Sequence, residues 1–205
     1  EEASDWILHE NIMSITGSDF SVKDQNGDVK LKANAAIFSI RDSIQVLDAE
    51  TDEEVFTLKA GLLNCLPTYY VMRDGETKAT IRKDRMSIHK TIRVYEGEAS
   101  FNPIFNTTQS ECLLQLHGGM ILERNTEIYK GDTDEKVAYS HEKIFDLGGL
   151  VGADNYALRI EAGTDICLVL AAMIAKDEIK DASEKAEADA AAAEEAAKAA
   201  AEVES

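Results

Sequence analysis

The stretch "RKDRMSIHKTIR", residues 82–93, concentrates positive charge in a chain that is otherwise strongly acidic. The cationic side chains, called the basic cluster here, are Arg82, Lys83, Arg85, Lys90 and Arg93. Such side chains on neighbouring strands could hold the headgroup of an anionic lipid. The alternative, which we favour from the sequence, is that they lie on the outward faces of two strands and pair with nearby carboxylates.

The other residue types that can serve in catalysis or metal binding do not occur at the spacings that the known motifs require. The four histidines have no metal-ligand spacing, and we expect them to be structural or solvated. The glycine-rich stretches "GGM" and "LGGLVG" lack the Ser of a nucleophile elbow and the Lys of a phosphate loop. The acidic stretch "DAETDEE" lacks the sixth-position Gly and twelfth-position Glu of a calcium loop. The sequence therefore predicts no catalytic site, no metal and no cofactor.

Charge and cysteine usage narrow the possible partners and compartments. With 39 acidic and 21 basic residues the net charge is −18, which argues against nucleic-acid binding because phosphates are neutralised by Lys and Arg. Cys65, Cys112 and Cys167 are odd in number and widely spaced, as expected for small apolar side chains in a reducing compartment. We expect an intracellular protein that is either soluble or peripherally bound to a membrane. It would be cytoplasmic, or it would reside in an organelle if a leader was removed before Glu1.

The most apolar stretch lies near the end of the chain, in "TDICLVLAAMIAKDEI". Its unbroken apolar run, residues 166–175, is too short for a transmembrane segment, which needs roughly 20 residues. A helix of about three turns that is apolar on every side belongs inside a domain. We predict a central structural helix at about residues 165–180, with Asp165 as its N-cap. The residues assigned to it are Asp165, Ile166, Leu168, Val169, Leu170, Met173 and Ile174.

Most of the chain before this helix reads as short strands. Alternation of apolar and polar residues, as of Ile92 and Val94 with Arg93 and Tyr95, is typical of antiparallel sheet. Asn26-Gly27 predicts a two-residue hairpin turn with positive φ at both positions. About a dozen short strands and one apolar helix predict a closed barrel threaded by that helix, since the strands need an interior and the helix needs an enclosure.

The last residues have a different composition. From Asp181 to Ser205 the sequence is almost entirely Ala, Glu and Lys, with Val203 as its only large apolar side chain. This composition favours a helix without a face to bury. We therefore divide the chain into a barrel domain, residues 1–180, and an acidic Ala/Glu-rich helical tail, residues 181–205, that could dock a basic protein partner or remain a fraying solvated segment.

The order of these segments resembles the LURP-one-related family. The stretches that carry the resemblance are "FSVKDQNGDVKLK", "FSIRDSIQVLDAETDEEVFTLK", "RVYEGE", "ILERNTEIYKGDTDEKVAYSHEK" and "GADNYALRIEAGTDICLVLAAMIAKDEI". They extend over nearly all of residues 15–180. The resemblance implies a fold like that of tubby domains and phospholipid scramblases, a mainly β, twelve-stranded antiparallel β-barrel enclosing one central hydrophobic C-terminal helix. It implies little about activity, because fold does not determine function.

From the sequence we expect a non-enzymatic binding or scaffolding module with a protein partner, contacted through the barrel surface or the tail. The alternative is a peripheral protein that binds phosphoinositides or other anionic lipids through the basic cluster, as tubby domains bind phosphoinositides. A scramblase-like role in lipid handling is the weakest of the three, since no membrane anchor is evident.

Overall fold

A computed structural model describes residues 3–11, 19–34, 43–61, 66–84, 91–102, 107–118, 125–141, 155–179, 188 and 191–193. These residues form twelve strands and one long helix, α1, at residues 166–179. The strands are β1 Ser4–Asn11, β2 Asp19–Asp24, β3 Val29–Asn34, β4 Ser43–Asp48, β5 Glu54–Ala60, β6 Thr68–Arg73, β7 Glu76–Lys83, β8 Ile92–Glu96, β9 Cys112–Gly118, β10 Thr126–Lys130, β11 Lys136–His141 and β12 Asn155–Ile160.

The strands form a closed barrel in which each strand is antiparallel to its neighbours in the sequence. The first and last strands complete the barrel, with Trp6 of β1 opposite Leu158 of β12. Closure leaves no edge strand, so that each strand is hydrogen-bonded on both sides. The predicted fold class, a twelve-stranded antiparallel barrel, is confirmed.

The interior of the barrel is filled by α1. All seven residues from Val169 to Ala175 are at most 7% exposed, so the helix is buried on every side. They share one core cluster with inward-facing residues of β2 to β12, such as Phe56, Ile81 and Leu158. The predicted central hydrophobic helix is confirmed. It is buried because a helix without a polar side needs a complete apolar enclosure.

The start of α1 is closed by a side chain. Asp165 Oδ1 accepts a hydrogen bond from the Leu168 N–H at 3.0 Å, which satisfies one of the otherwise unpaired donors of the first turn. Ile166, Cys167 and Leu168 are partly buried and pack against the core. The helix is therefore anchored at its first turn as well as along its length.

The hairpin at Asn26-Gly27 differs from the prediction in its turn type. Of these two residues only Gly27 has a positive φ, 86°. Asp24 Oδ1 accepts hydrogen bonds from the N–H groups of Asn26 and Asp28 at 2.9 and 3.0 Å. This carboxylate stabilises a four-residue connection, residues 25–28, with Gly27 in the left-handed region, so the turn needs only one residue with positive φ.

Little of the predicted tail lies among the described residues. Residue 188 and residues 191–193 are helical with exposed side chains, and the boundary near residue 180 lies outside the described ranges. In the part of the chain that the structure describes, no helix has both the length and the apolar character required to span a membrane.

Candidate functional site

Two arginines of the basic cluster lie side by side on the outside of the barrel. Arg82 of β7 is directly opposite Arg93 of β8 in the strand register. Their chain neighbours Ile81, Ile92 and Val94 belong to the core, so alternation directs both arginines outward. Like charges directly opposite on antiparallel strands destabilise a sheet, and this pair therefore depends on its surroundings.

The connection between β8 and β9 folds over this outer face. We call its described residues, 97–102 and 107–111, the covering segment. Thr80 of β7 anchors it: its hydroxyl donates to the Gly97 carbonyl at 2.6 Å and accepts from the Ala99 N–H at 2.9 Å. As a result Thr80 is fully buried and Arg82 is only 9% exposed.

Arg82 stacks on an aromatic ring of the covering segment. Its guanidinium carbon lies 4.2 Å from the centre of the Phe101 ring. Tyr95 packs edge-on against Phe101, with the ring centres 5.3 Å apart and the planes at 75°. A cation over an aromatic face is attracted by the ring quadrupole, and more strongly where water is excluded. The Phe101 ring thus stabilises the charge of Arg82, and Tyr95 supports that ring.

Arg93 is paired with two carboxylates. Its Nη1 lies 2.5 Å from Asp132 Oδ1, and its Nε lies 3.3 Å from Asp84 Oδ2. Gln115 Nε2 also donates to Asp132 Oδ1, at 2.8 Å, which holds that carboxylate over β8 and β9. Partial burial acts to lower the pKa of Arg93, but the hydrogen bond and charge of Asp132 outweigh it and raise this pKa above its ordinary value. Arg93 is thus a permanent cation.

A cavity of about 320 Å³ lies between the strands and the covering segment. Two arginines, Arg82 and Arg93, and two carboxylates, Asp84 and Asp132, line it. Lys83 also borders it, but alternation along β7 places the Lys83 side chain on the face of Ile81. Two arginines directly opposite each other stand out in a chain with a net charge of −18. The cavity therefore suits a small anionic group.

Hydroxyl groups line the side of the cavity formed by the covering segment. They belong to Thr107, Thr108 and Ser110. Thr108 Oγ1 accepts a hydrogen bond from the Ser110 N–H at 3.2 Å. A hydroxyl that accepts through its oxygen can still donate its hydrogen, so this side adds neutral donors to the cationic ones.

A β-bulge brings Cys112 to the same cavity. The register shifts between Val94 and Tyr95, which places Cys112 opposite Tyr95 on the cavity side. Burial, followed by the nearby charge of Asp132, raises the pKa of the Cys112 thiol to about 11. Burial also raises the pKa of the Cys167 thiol. Both cysteines are free, and a thiol held protonated at neutral pH is a poor nucleophile.

The structure brings together two residues of the predicted basic cluster, Arg82 and Arg93, and Lys83 borders the same cavity from the opposite face of β7. The other two, Arg85 and Lys90, lie outside the described residues. The prediction that these cations pair with carboxylates agrees with the contacts of Arg93. Among the described residues there is no group of His, Cys, Asp and Glu side chains that could hold a metal ion.

Sequence reasoning missed most of the cavity. Phe101 and the hydroxyl residues come from a connection without a recognisable motif, and Asp132 is 39 residues from Arg93 in the sequence. The stretch "KGDTDEK", which contains Asp132, indicated only a turn. The alternation of Tyr95 with Ile92 and Val94 was the one available signal, since it placed this ring on the same face as Arg93.

Comparison with known proteins agrees with this fold. A family model described as LURP-one-related matches residues 4–177. The Arabidopsis thaliana protein LURP-one-related 15 is 24% identical over 181 residues, covering 85% of this chain and 79% of that protein. LURP-one-related 10 of the same plant is 24% identical over 168 residues, covering 82% of this chain and 86% of that protein. An Arabidopsis thaliana protein with an X-ray structure superposes with a TM-score of 0.60 at 21% identity, covering 87% of this chain and 92% of that one, which shows a shared fold.

Proposed function

The chain belongs to the LURP-one-related family, and on this premise we propose that it is a non-enzymatic binding or scaffolding module of a larger assembly. The cavity beneath the covering segment is its contact site for an anionic group of a protein partner. The observation that carries the proposal is that Arg82 and Arg93, directly opposite each other, both line this one cavity. The tubby-like barrel supports the cavity rigidly, because the strands that present these residues are hydrogen-bonded on both sides.

The chemistry of the cavity supports binding more than catalysis. Its thiol, Cys112, has a pKa of about 11, and the described lining residues include no histidine beside the hydroxyls to act as a base. Hydroxyls and guanidinium groups are hydrogen-bond donors that recognise an anion without reacting with it.

A protein partner is favoured over a membrane because the cations are recessed. Arg82 is 9% exposed, and the Arg93 side chain is 27% exposed. Polybasic segments that bind membranes present their charges at the surface, where the field of the anionic lipids extends only about one Debye length. The net charge of −18 adds a general repulsion from such a surface.

The second candidate function is peripheral binding of phosphoinositides or other anionic lipids. It is favoured by the same two arginines, since a single lipid headgroup could enter the cavity where a flat membrane surface could not. The tail, residues 181–205, is proposed as a further contact for a basic partner. Truncation before Asp181 tests that role: a partner that remains bound to the shortened chain does not dock on the tail.

Flotation with liposomes separates the two functions. The purified chain is mixed with liposomes that contain phosphatidylinositol bisphosphate, and with neutral liposomes, at about 50 and about 200 mM salt. We expect the protein to stay unbound under all four conditions. Flotation that requires the phosphoinositide, weakens at the higher salt and is lost in Arg93→Gln would overturn the protein-binding proposal in favour of the lipid. Arg159→Gln is the matched control, because it removes an exposed arginine paired with Asp5 on β12 and β1.

A further inference from the structure

We propose that the cavity beneath the covering segment recognises a phosphoryl group, presented as a phosphorylated serine or threonine side chain of the protein partner. This inference rests on the proposed function and deepens it by naming the ligand. It also assigns a role to Asp132, as an internal competitor that occupies Arg93 until a dianion displaces it.

The opposed arginines are the first argument. Arg82 and Arg93 occupy one register position on neighbouring strands, where paired residues have Cα atoms roughly 4.5 to 5.5 Å apart. Each guanidinium carries five N–H donors in a planar fork that matches the oxygens of a phosphate. A dianion between them would accept hydrogen bonds from donors on both strands.

The covering segment supplies the remaining donors. The hydroxyls of Thr107, Thr108 and Ser110 line the cavity together with the arginines. A tetrahedral phosphoryl group presents three acceptor oxygens in different directions, whereas a carboxylate presents two in one plane. Donors distributed over two strands and a covering segment therefore fit the phosphoryl group better.

The contacts of Asp132 explain why an ordinary acidic side chain would bind poorly. Asp132 already accepts from Arg93 Nη1 and from Gln115 Nε2. A glutamate or aspartate of a partner would exchange one carboxylate for another, with little net gain. A phosphorylated side chain carries roughly −1.5 to −2 charges, so it can displace Asp132 at a gain. The Asp132 side chain is 67% exposed, and after displacement its carboxylate can be hydrated.

The size of the cavity is consistent with a single group. A volume of about 320 Å³ is at the lower end of the range for small-molecule sites, about 300 to 1,000 Å³. It accommodates one phosphoryl group on a short side chain. The rest of the partner would contact the surface around the opening.

Titration of the full chain tests the site with defined probes: inorganic phosphate, O-phosphoserine, acetate and soluble inositol trisphosphate. Amide and arginine Nε–H signals in NMR spectra report binding at Arg82, Arg93 and Thr108. We expect saturable shifts there with phosphate and O-phosphoserine, and at most weak shifts with acetate. Arg93→Gln or Arg82→Gln should weaken phosphoserine binding about 10-fold or more, the usual effect of losing a charged hydrogen bond.

Asp132→Asn is the decisive variant, because it predicts a gain that misfolding cannot produce. We expect it to tighten O-phosphoserine binding about 3- to 10-fold by removing the competing charge. Asp134→Asn, in the same turn but not lining the cavity, should change the affinity less than about 2-fold. Equal affinities for Asp132→Asn and wild type would overturn the competitor role.

Two outcomes would overturn the phosphoryl proposal as a whole. One is equally weak binding of O-phosphoserine and acetate. The other is saturable binding of inositol trisphosphate without binding of O-phosphoserine, which would identify a lipid headgroup site. The proposed function is tested separately. If a partner is lost from Arg93→Gln but still binds the wild-type chain after the partner is treated with phosphatase, the cavity remains the contact site and the phosphoryl group is excluded as its ligand.

Discussion

Arg82 and Arg93 lie directly opposite each other on β7 and β8, and each has stabilising contacts of its own. Arg82 is covered and stacked on Phe101, whereas Arg93 is paired with Asp84 and Asp132. The two like charges can therefore share one register position because each has its own source of compensation. This arrangement leaves a cavity between them and the covering segment.

Phe101 should act together with Thr80 to keep the covering segment in place. We expect Phe101→Ala to lower the free energy of unfolding by about 1 to 3 kcal/mol, since it removes both the cation–π contact with Arg82 and the ring contact with Tyr95. Urea denaturation measures the loss. Phe101→Tyr keeps an aromatic face and should lose less than half as much; equal losses in the two variants would contradict a role for the ring.

The burial of α1 predicts that Leu170→Asp prevents folding. Leu170 is fully buried at 0% exposure, and an unpaired charge there costs several kcal/mol, comparable to the whole stability of a domain, about 5 to 15 kcal/mol. Val29→Asp is the matched control because Val29 is 43% exposed. Circular dichroism and urea titration should show native folding for the control only. Cooperative unfolding of Leu170→Asp near the wild-type midpoint would contradict the enclosed helix.

Asp48 makes the β4–β5 turn sensitive to acid. Hydrogen bonds from the N–H groups of Thr51 and Glu50, both 2.9 Å, lower the pKa of this carboxyl below its ordinary value of 3.8. A depressed pKa means that the ionised form stabilises the fold above the unfolded pKa, and that this contribution is lost as the pH falls through the folded pKa. We expect Asp48→Asn, whose amide oxygen can accept the same bonds, to flatten the dependence of stability on pH below about 4. Urea titrations along a pH series measure this; an unchanged slope would exclude Asp48 as a contributor.

The thiol of Cys112 should resist alkylation in the folded protein. Burial raises its pKa from the ordinary 9.0 to about 11, which lowers the thiolate fraction at pH 8 by about 100-fold. The variant Cys65→Ser, Cys167→Ser leaves Cys112 as the thiol to be labelled. Iodoacetamide should label Cys112 at least about 100-fold more slowly in the folded protein than in protein unfolded by urea. Mass spectrometry over time measures both rates. Comparable rates would show that the cavity does not bury the thiol.

Local pattern was sufficient to predict the fold. Ile92 and Val94 alternate with Arg93 and Tyr95, and this period of two decides which side chains enter the core before any partner strand is known. The apolar run that begins at Ile166 likewise requires an enclosure. Such signals lie within a few residues of one another, and so a single sequence contains them. The hairpin at Asn26-Gly27 was placed correctly, but its turn type was not, because the Asp24 carboxylate provides an alternative set of hydrogen bonds.

The site depended on relationships that no local pattern contains. The register of β7 against β8 places Arg82 opposite Arg93, and a bulge turns Cys112 toward the same cavity. Phe101 and Asp132 reach the arginines from two other connections, and the ion pair of Asp132 with Arg93 joins residues 39 positions apart. The sequence by itself determined the barrel, its helix and the identity of the cations. Only the tertiary structure decided which charges meet, because closure of the barrel and the path of the covering segment set distances between residues that are remote in the chain.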